Sequence, residues 1–172
     1  MSWLERFIPD QKIVSIYEID PMFFRQRGFK GLIADLDNTL VPAETGLATL
    51  ELARWLNRLT DDGLQVIIVS NNHRRRVEKV ANALGIPYIS RARKPARRAF
   101  RQALERLQLK PVETVMLGDQ LLTDVYGGNR LGLYTILVKP ISPVEKFSTR
   151  VNRWVEGWIL QQLKRRGRFP ES

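Results

Sequence analysis

Apolar and polar positions alternate along the chain in two styles. Short continuous runs rich in Val and Ile read as buried strands, and longer stretches with apolar residues every three or four positions read as amphipathic helices. Gly31 to Leu36 is the first such strand, through Leu32, Ile33 and Ala34. Residues 47–63 place Leu52, Leu56 and Leu59 on one helical face and end near Gly63. "QVIIVSNN" (65–72) predicts a second strand, and 73–85 a helix with Val77, Val80, Ala81 and Leu84 inward and Gly85 as its stop. A short strand follows at 86–90, then a helix over 95–109 with Pro95 in its first turn. "ETVMLGD" (113–119) and "LYTILV" (133–138) predict the fourth and fifth strands, separated by a short helix over 121–132 whose Gly127, Gly128 and Gly132 read as helix-ending and turn glycines. The remainder is helical, with an amphipathic segment at about 144–163. This alternation predicts an α/β fold, a parallel five-stranded sheet with helices on both faces, in one domain over 1–172.

In such sheets ligands bind beyond the carboxyl ends of the strands. Polar residues collect there. Asp35 and Asp37 end the first strand, Ser70-Asn71-Asn72 the second and Gly118-Asp119 the fourth; Asp124 lies five residues on, and Lys94 precedes the helix after the third. Asp and Asn also favour plain turns. The convergence of the set on one sheet edge is what argues for a site.

Composition narrows the chemistry. The 172 residues contain no cysteine and a single histidine, His73, which excludes thiolate and His-rich metal sites. His73 itself reads as a first-turn surface residue. The N-terminus does not resemble a signal peptide and no apolar run is long enough to span a bilayer, so a cytoplasmic protein is expected. The net charge of +10 is concentrated in 73–79, 91–101 and 164–168 and favours anionic partners, although any one cluster also reads as a solvated helix face.

"DLDNT", "VSNN", "RKP" and "GDQLLTD", in this order and spacing, resemble the four motifs of the haloacid dehalogenase (HAD) superfamily of phosphohydrolases. Longer stretches, 8–41, 118–138 and "FSTRVNRWVE", resemble its YqeG-type, subfamily IIIA branch, which is similar to phosphatidylglycerophosphate phosphatases. The resemblance implies a HAD-like Rossmannoid three-layer sandwich. It implies Asp35 as the nucleophile that becomes phosphorylated and Asp37 as the acid that protonates the leaving alkoxide and then activates water. Mg²⁺ is implied as cofactor, held by Asp35, Asp119 and the backbone carbonyl of Asp37, with Asp124 either ligating directly or holding a metal-bound water. Ser70, the Asn71 backbone N–H and Lys94 would hold the phosphoryl group, with Thr39 fixing the loop. Lys94 and Asp119 are expected to serve the site and not the core, so that removing Lys94 should leave stability nearly unchanged.

The connections after the first and second strands are too short for a cap domain, so the site is expected to be open and the substrate large or surface-embedded. Phosphatidylglycerophosphate is the expected substrate; a soluble phosphate ester or a phosphorylated macromolecule is the alternative. Receiver domains also gather Asp residues at strand ends, but they carry the phosphorylated Asp on a later strand. No P-loop or dinucleotide fingerprint occurs. A nucleic-acid-binding module would explain the charge but not the carboxylates, and no nucleic-acid partner is expected.

Two segments leave a choice open. Trp3, Leu4, Phe7 and Ile8 lie together, and Phe147, Val151, Trp154, Val155, Trp158 and Ile159 form a helical stripe flanked by Lys146, Arg150 and Arg153. Trp beside Lys and Arg on an apolar stripe suits contact with an anionic membrane at the inner face. The same stripe suits packing on the domain or an oligomer contact.

Overall fold

In a computed structural model, residues 3–142 and 147–165 are described, and side chains at 147–153 and 164 are left aside. The strands are β1 (Gln11–Ile13), β2 (Gly31–Ala34), β3 (Gln65–Val69), β4 (Tyr88–Ile89), β5 (Thr114–Gly118) and β6 (Tyr134–Val138). The helices are α1 (Pro21–Arg27), α2 (Leu50–Asp61), α3 (Arg74–Leu84), α4 (Arg97–Leu107), α5 (Tyr126–Asn129) and α6 (Phe147–Arg165). All strands pair in parallel, in the order β1-β6-β5-β2-β3-β4.

The sheet thus has six strands where the sequence pattern predicts five. The additional strand, β1, is an edge strand of three residues that pairs only with β6, Gln11 beside Ile136 and Ile13 beside Val138. A segment this short cannot display a period of two, and two of its three residues are polar.

The central strands are buried on both faces, so β2, β3 and β5 are nearly unbroken apolar runs. Odd and even positions serve opposite layers. Leu32, Ile68, Val115 and Leu117 pack under α1, α2 and α3 with Trp55, Leu56 and Leu59. Ile33, Ile67, Val69 and Met116 pack against Phe100, Ala103 and Leu107 of α4. Helix starts carry their own signals. Thr49 caps α2 by accepting from the Leu52 N–H, and Asp20 caps α1 ahead of Pro21. His73 caps α3, its Nδ1 accepting from the Arg76 N–H at 3.3 Å.

The predicted short helix after β5 is a π-helical turn, Leu121–Val125, running into α5. Gly127 and Gly128 do not end it. A Cβ on Gly127 would sit 2.6 Å from the Phe100 ring, and one on Gly128 would sit 2.8 Å from the Thr135 methyl group. These glycines let α5 lie close to α4 and the sheet. Gly132 is the turn glycine, at φ +79°.

The terminal segments join each other. Leu4 and Phe7 of a short 3₁₀ turn (Trp3–Phe7) are buried with Ile159 and Leu163 of α6. Glu156 of α6 is buried too, and its carboxylate accepts from the Leu122 N–H at 2.9 Å. One edge of the predicted stripe therefore packs on the domain. Trp3, Trp154 and Trp158 stay exposed. Phe147, Val151, Arg150 and Arg153 lie outside the described side chains, and residues 144–146 outside the described residues.

Candidate active site

Register brings the polar residues to one level. Ala34 lies beside Ile68 of β3 and beside Leu117 of β5, so Asp35, Ser70 and Gly118-Asp119 leave the sheet together at its carboxyl edge. The Asp35 N–H still donates to the Leu117 carbonyl at 2.9 Å, which ties its backbone to the sheet. The chain then curls: the Leu36 carbonyl accepts from Leu40 N–H at 3.0 Å and Val41 N–H at 3.1 Å, and Asn38 takes a left-handed φ of 64°. This curl brings the Thr39 hydroxyl to 3.4 Å from both Asp35 Oδ2 and Asp119 Oδ1.

At the centre stands Lys94. Its Nζ is 2.7 Å from Asp35 Oδ1 and 2.7 Å from Asp124 Oδ1, and its side chain is only 2% exposed. Asn71 holds the lysine's backbone from both sides, its Oδ1 accepting from the Lys94 N–H at 2.6 Å and its Nδ2 donating to the Lys94 carbonyl at 3.1 Å. Asp124 rests on Gly118, where any Cβ would overlap its carboxylate. The glycine of the "GDQLLTD" segment is thus required by close approach.

Asp35, Asp119 and Asp124 are all buried, and one ligand oxygen from each lies within 4.8 Å of the others. Asp35 and Asp124 share the Lys94 ammonium, with the Asp119 carboxylate beside them, and buried carboxylates this close are costly unless positive charge offsets them. An all-oxygen donor set of three carboxylates fits a hard divalent cation such as Mg²⁺. The electrostatics agree. Burial pushes the Asp35 carboxyl up to about 6, with Asp124 and Asp37 pushing the same way against the pull of Lys94. Burial alone would lower the Lys94 ammonium, but its pairing with Asp124 and Asp35 outweighs this and holds it above its ordinary range.

A stability prediction follows for the metal-free protein. Asp35 is ionised in both folded and unfolded states at pH 7, but its folded value of about 6 lies above its ordinary 3.8. The burial penalty is therefore fully present above pH 6 and disappears as pH falls toward 4. Asp35→Asn should stabilise the metal-free protein at pH 7 by on the order of 3 kcal/mol. The advantage should shrink toward pH 4.5 and with added Mg²⁺. Thermal denaturation of both proteins across this range checks it; equal melting temperatures throughout would contradict it.

Not every expected residue joins the cluster. The Asp37 carboxylate lies at a partly exposed rim, where Oδ1 accepts from Arg76 Nε at 2.7 Å and Oδ2 accepts from Asn72 Nδ2 at 2.8 Å. Ser70 is buried at the end of β3, its Oγ accepting from the Asn72 N–H at 3.1 Å. Lys94 lies in the buried interior between Asp35 and Asp124, so its removal is expected to cost stability as well, against the reading from sequence. Arg76, Asn72 and the Asn71 side chain were not singled out from the sequence for these contacts. One signal marks the cluster without singling out Arg76: Arg74, Arg75 and Arg76 crowd the first turn of α3, where the helix dipole disfavours cations unless an anion is at hand.

A family model described as "Hydrolase: haloacid dehalogenase-like hydrolase" matches residues 40–132. The match begins just after Asp35 and Asp37 and does not include them. The chain is 48% identical over 161 residues to "Probable phosphatase YqeG" of Bacillus subtilis, with 94% of each chain covered. It is 29% identical to "Phosphatidylglycerophosphate phosphatase 1, chloroplastic/mitochondrial" of Arabidopsis thaliana, covering 95% of this chain and 50% of the relative. Against the chloroplastic protein of the same name from Chlamydomonas reinhardtii it is 28% identical and spans 61% of that length. Among solved structures, a cobalt-bound deoxy-D-mannose-octulosonate 8-phosphate phosphatase from Haemophilus influenzae shares the fold, with a TM-score of 0.56 at 14% identity over 80% of this chain and 90% of that one.

Proposed function

The chain belongs to the haloacid dehalogenase-like hydrolases and is a phosphatase, and on that footing we propose that it cleaves phosphate monoesters by a Mg²⁺-dependent, two-step transfer through Asp35. The observation that carries this reading is the buried cluster of Asp35, Asp119 and Asp124 around Lys94 at the sheet edge. Asp35, Asp119 and Asp124 would hold the cation, with the Asp37 backbone carbonyl as a further oxygen donor. When bound, Mg²⁺ neutralises charge on the phosphoryl oxygens.

In the first step an Asp35 carboxylate oxygen forms a bond to phosphorus and the bond to the leaving oxygen breaks. That oxygen takes its proton from Asp37. In the second step water gives a proton to Asp37 and attacks phosphorus; the bond to Asp35 breaks, and inorganic phosphate leaves. Lys94 offsets the charge shared by nucleophile and phosphoryl group, and the Ser70 hydroxyl and Asn71 N–H donate to phosphoryl oxygens. Thr39 keeps the curl in register with Asp35. Such fixed donors act without reorganisation during the reaction.

The substrate reading is phosphatidylglycerophosphate, hydrolysed to phosphatidylglycerol at a membrane surface. Two relatives carry that substrate in their names. Among the described residues no cap covers the strand ends: 35–49 form only the curl and a loop, and β3 is followed by α3 and the two-residue β4. Trp154 and Trp158 are exposed one turn apart on α6, and the net charge of +10 suits an anionic surface. No helix among the described residues is long and apolar enough to cross a membrane, so the contact would be peripheral.

The purified protein with Mg²⁺ should hydrolyse phosphatidylglycerophosphate in mixed micelles in preference to sugar phosphates and nucleotides. It should also bind anionic vesicles in a salt-sensitive manner, more weakly in Trp154→Ala/Trp158→Ala. Efficient turnover of a soluble ester with none of the lipid would overturn the substrate. Vesicle binding indifferent to the double substitution would overturn the α6 contact.

A further inference from the structure

Asp37 is the acid on which leaving-group departure depends in the proposed function, and its carboxylate is fully committed elsewhere. Arg76 takes Oδ1 through Nε and a terminal nitrogen, at 2.7 and 2.6 Å, and Asn72 takes Oδ2 at 2.8 Å. The arginine is itself fixed. The same terminal nitrogen also donates to the Ala43 carbonyl at 2.6 Å and the Pro42 carbonyl at 3.3 Å. Gly46 leaves room for it, since a Cβ there would lie 3.0 Å from the guanidinium. The pair is at the rim, with Arg76 and Asp37 side chains 18% and 22% exposed.

A carboxylate gripped by a permanent cation cannot deliver a proton to a leaving oxygen. It must let go, and Arg76 then loses the carboxylate it is paired with, beside carbonyls that cannot neutralise it. Withdrawing a partly buried cation from its counterion is unfavourable unless another anion replaces it. The guanidinium fork matches phosphate oxygens as well as carboxylate oxygens. Asp37 must reach the leaving oxygen, so whatever meets Arg76 belongs to the leaving group.

We propose that Arg76 selects the substrate: a second anion on the leaving alcohol, a phosphodiester a few bonds from the ester oxygen, takes the Arg76 fork and releases Asp37 to the leaving oxygen. Esters without that anion leave Asp37 latched and turn over slowly. This rests on the phosphatase reading, and it makes recognition independent of acyl chains or a membrane.

The test compares two soluble esters of the same primary alcohol type, glycerophosphoglycerol phosphate, which carries a phosphodiester, and glycerol 3-phosphate, which does not. p-Nitrophenyl phosphate serves as a check on the chemistry. Wild type should favour the diester-bearing ester in kcat/KM by roughly tenfold or more, the value of one charge-assisted contact. Arg76→Gln should collapse that ratio toward one by lowering kcat/KM for the diester-bearing ester while glycerol 3-phosphate, for which the latch is removed, does not lose turnover. Arg76→Lys, which keeps the charge and loses the fork, should retain part of it. A purely structural clamp on residues 42–46 would lower both esters together and keep the ratio, which overturns the proposal. Wild type that lacks the preference overturns it as well. Hydrolysis of the aryl ester alone would overturn the selection and spare the phosphatase reading, whereas hydrolysis of none of the three would overturn both.

Discussion

Asp35→Ala is expected to abolish turnover, with a loss of about 10⁴-fold or more, the scale seen when a covalent nucleophile is removed. The protein should remain folded. Asp35 is buried among Asp119, Asp124 and Lys94, and its carboxyl is pushed up by that burial, so its charge opposes folding in the metal-free state. Loss of activity with stability kept or raised is the signature of a group placed for chemistry. Steady-state kinetics with Mg²⁺ and a melting curve for the same sample check both halves. Activity within tenfold of wild type in a folded Asp35→Ala protein would remove it as nucleophile.

Lys94→Met should fail in both respects. Turnover should drop by about 10²–10³-fold, the loss expected for one preorganised electrostatic contact. Stability should fall by about 3–5 kcal/mol without metal, because the substitution strands Asp35 and Asp124 as buried, uncompensated charges. Mg²⁺ should restore part of that stability, since a cation among the three carboxylates replaces some of the missing positive charge. The two aspartate and lysine variants thus move stability in opposite directions although their side chains are 2.7 Å apart. Melting temperatures with and without Mg²⁺ decide it; a Lys94→Met protein as stable as wild type without metal would contradict the ion-pair account.

Much of the frame was legible because the central strands are buried on both faces. Leu32–Ala34, Val66–Val69 and Val115–Leu117 must be apolar throughout, and a continuous apolar run bounded by polar residues is easy to see. The polar residues that end those runs stood out for the same reason. Asp35, Ser70 and Asp119 follow directly on those runs, whereas Asp124 lies five residues beyond Asp119 and takes its role from the motif resemblance. β1 could not, since an edge strand of three residues with one buried side chain leaves no pattern.

Contacts between loops were illegible for a different reason. Asn71 meets Lys94 23 residues away, and Arg76 meets Asp37 39 residues away. Within "HRRRVEK" nothing separates Arg76 from Arg74, which pairs with Glu78 on the helix surface. The burial of Lys94 was illegible too, because sequence shows a charge at a strand end but not how deeply the neighbouring layers enclose it. The C-terminal stripe was neither wholly core nor wholly surface. Ile159 and Leu163 pack on the N-terminal turn while Trp154 and Trp158 face outward.

The central claim is that the phosphoryl group rests on Asp35 between the two steps. Asp37→Asn with p-nitrophenyl phosphate isolates that state, because nitrophenolate leaves without protonation while attack by water still needs the missing base. Rapid acid quench followed by peptide mass mapping should show one nitrophenolate released per enzyme in an initial burst and one phosphoryl group on the peptide that contains Asp35. Steady nitrophenolate release without a burst and with no phosphorylated peptide, or a phosphoryl group on any other residue, would contradict the account.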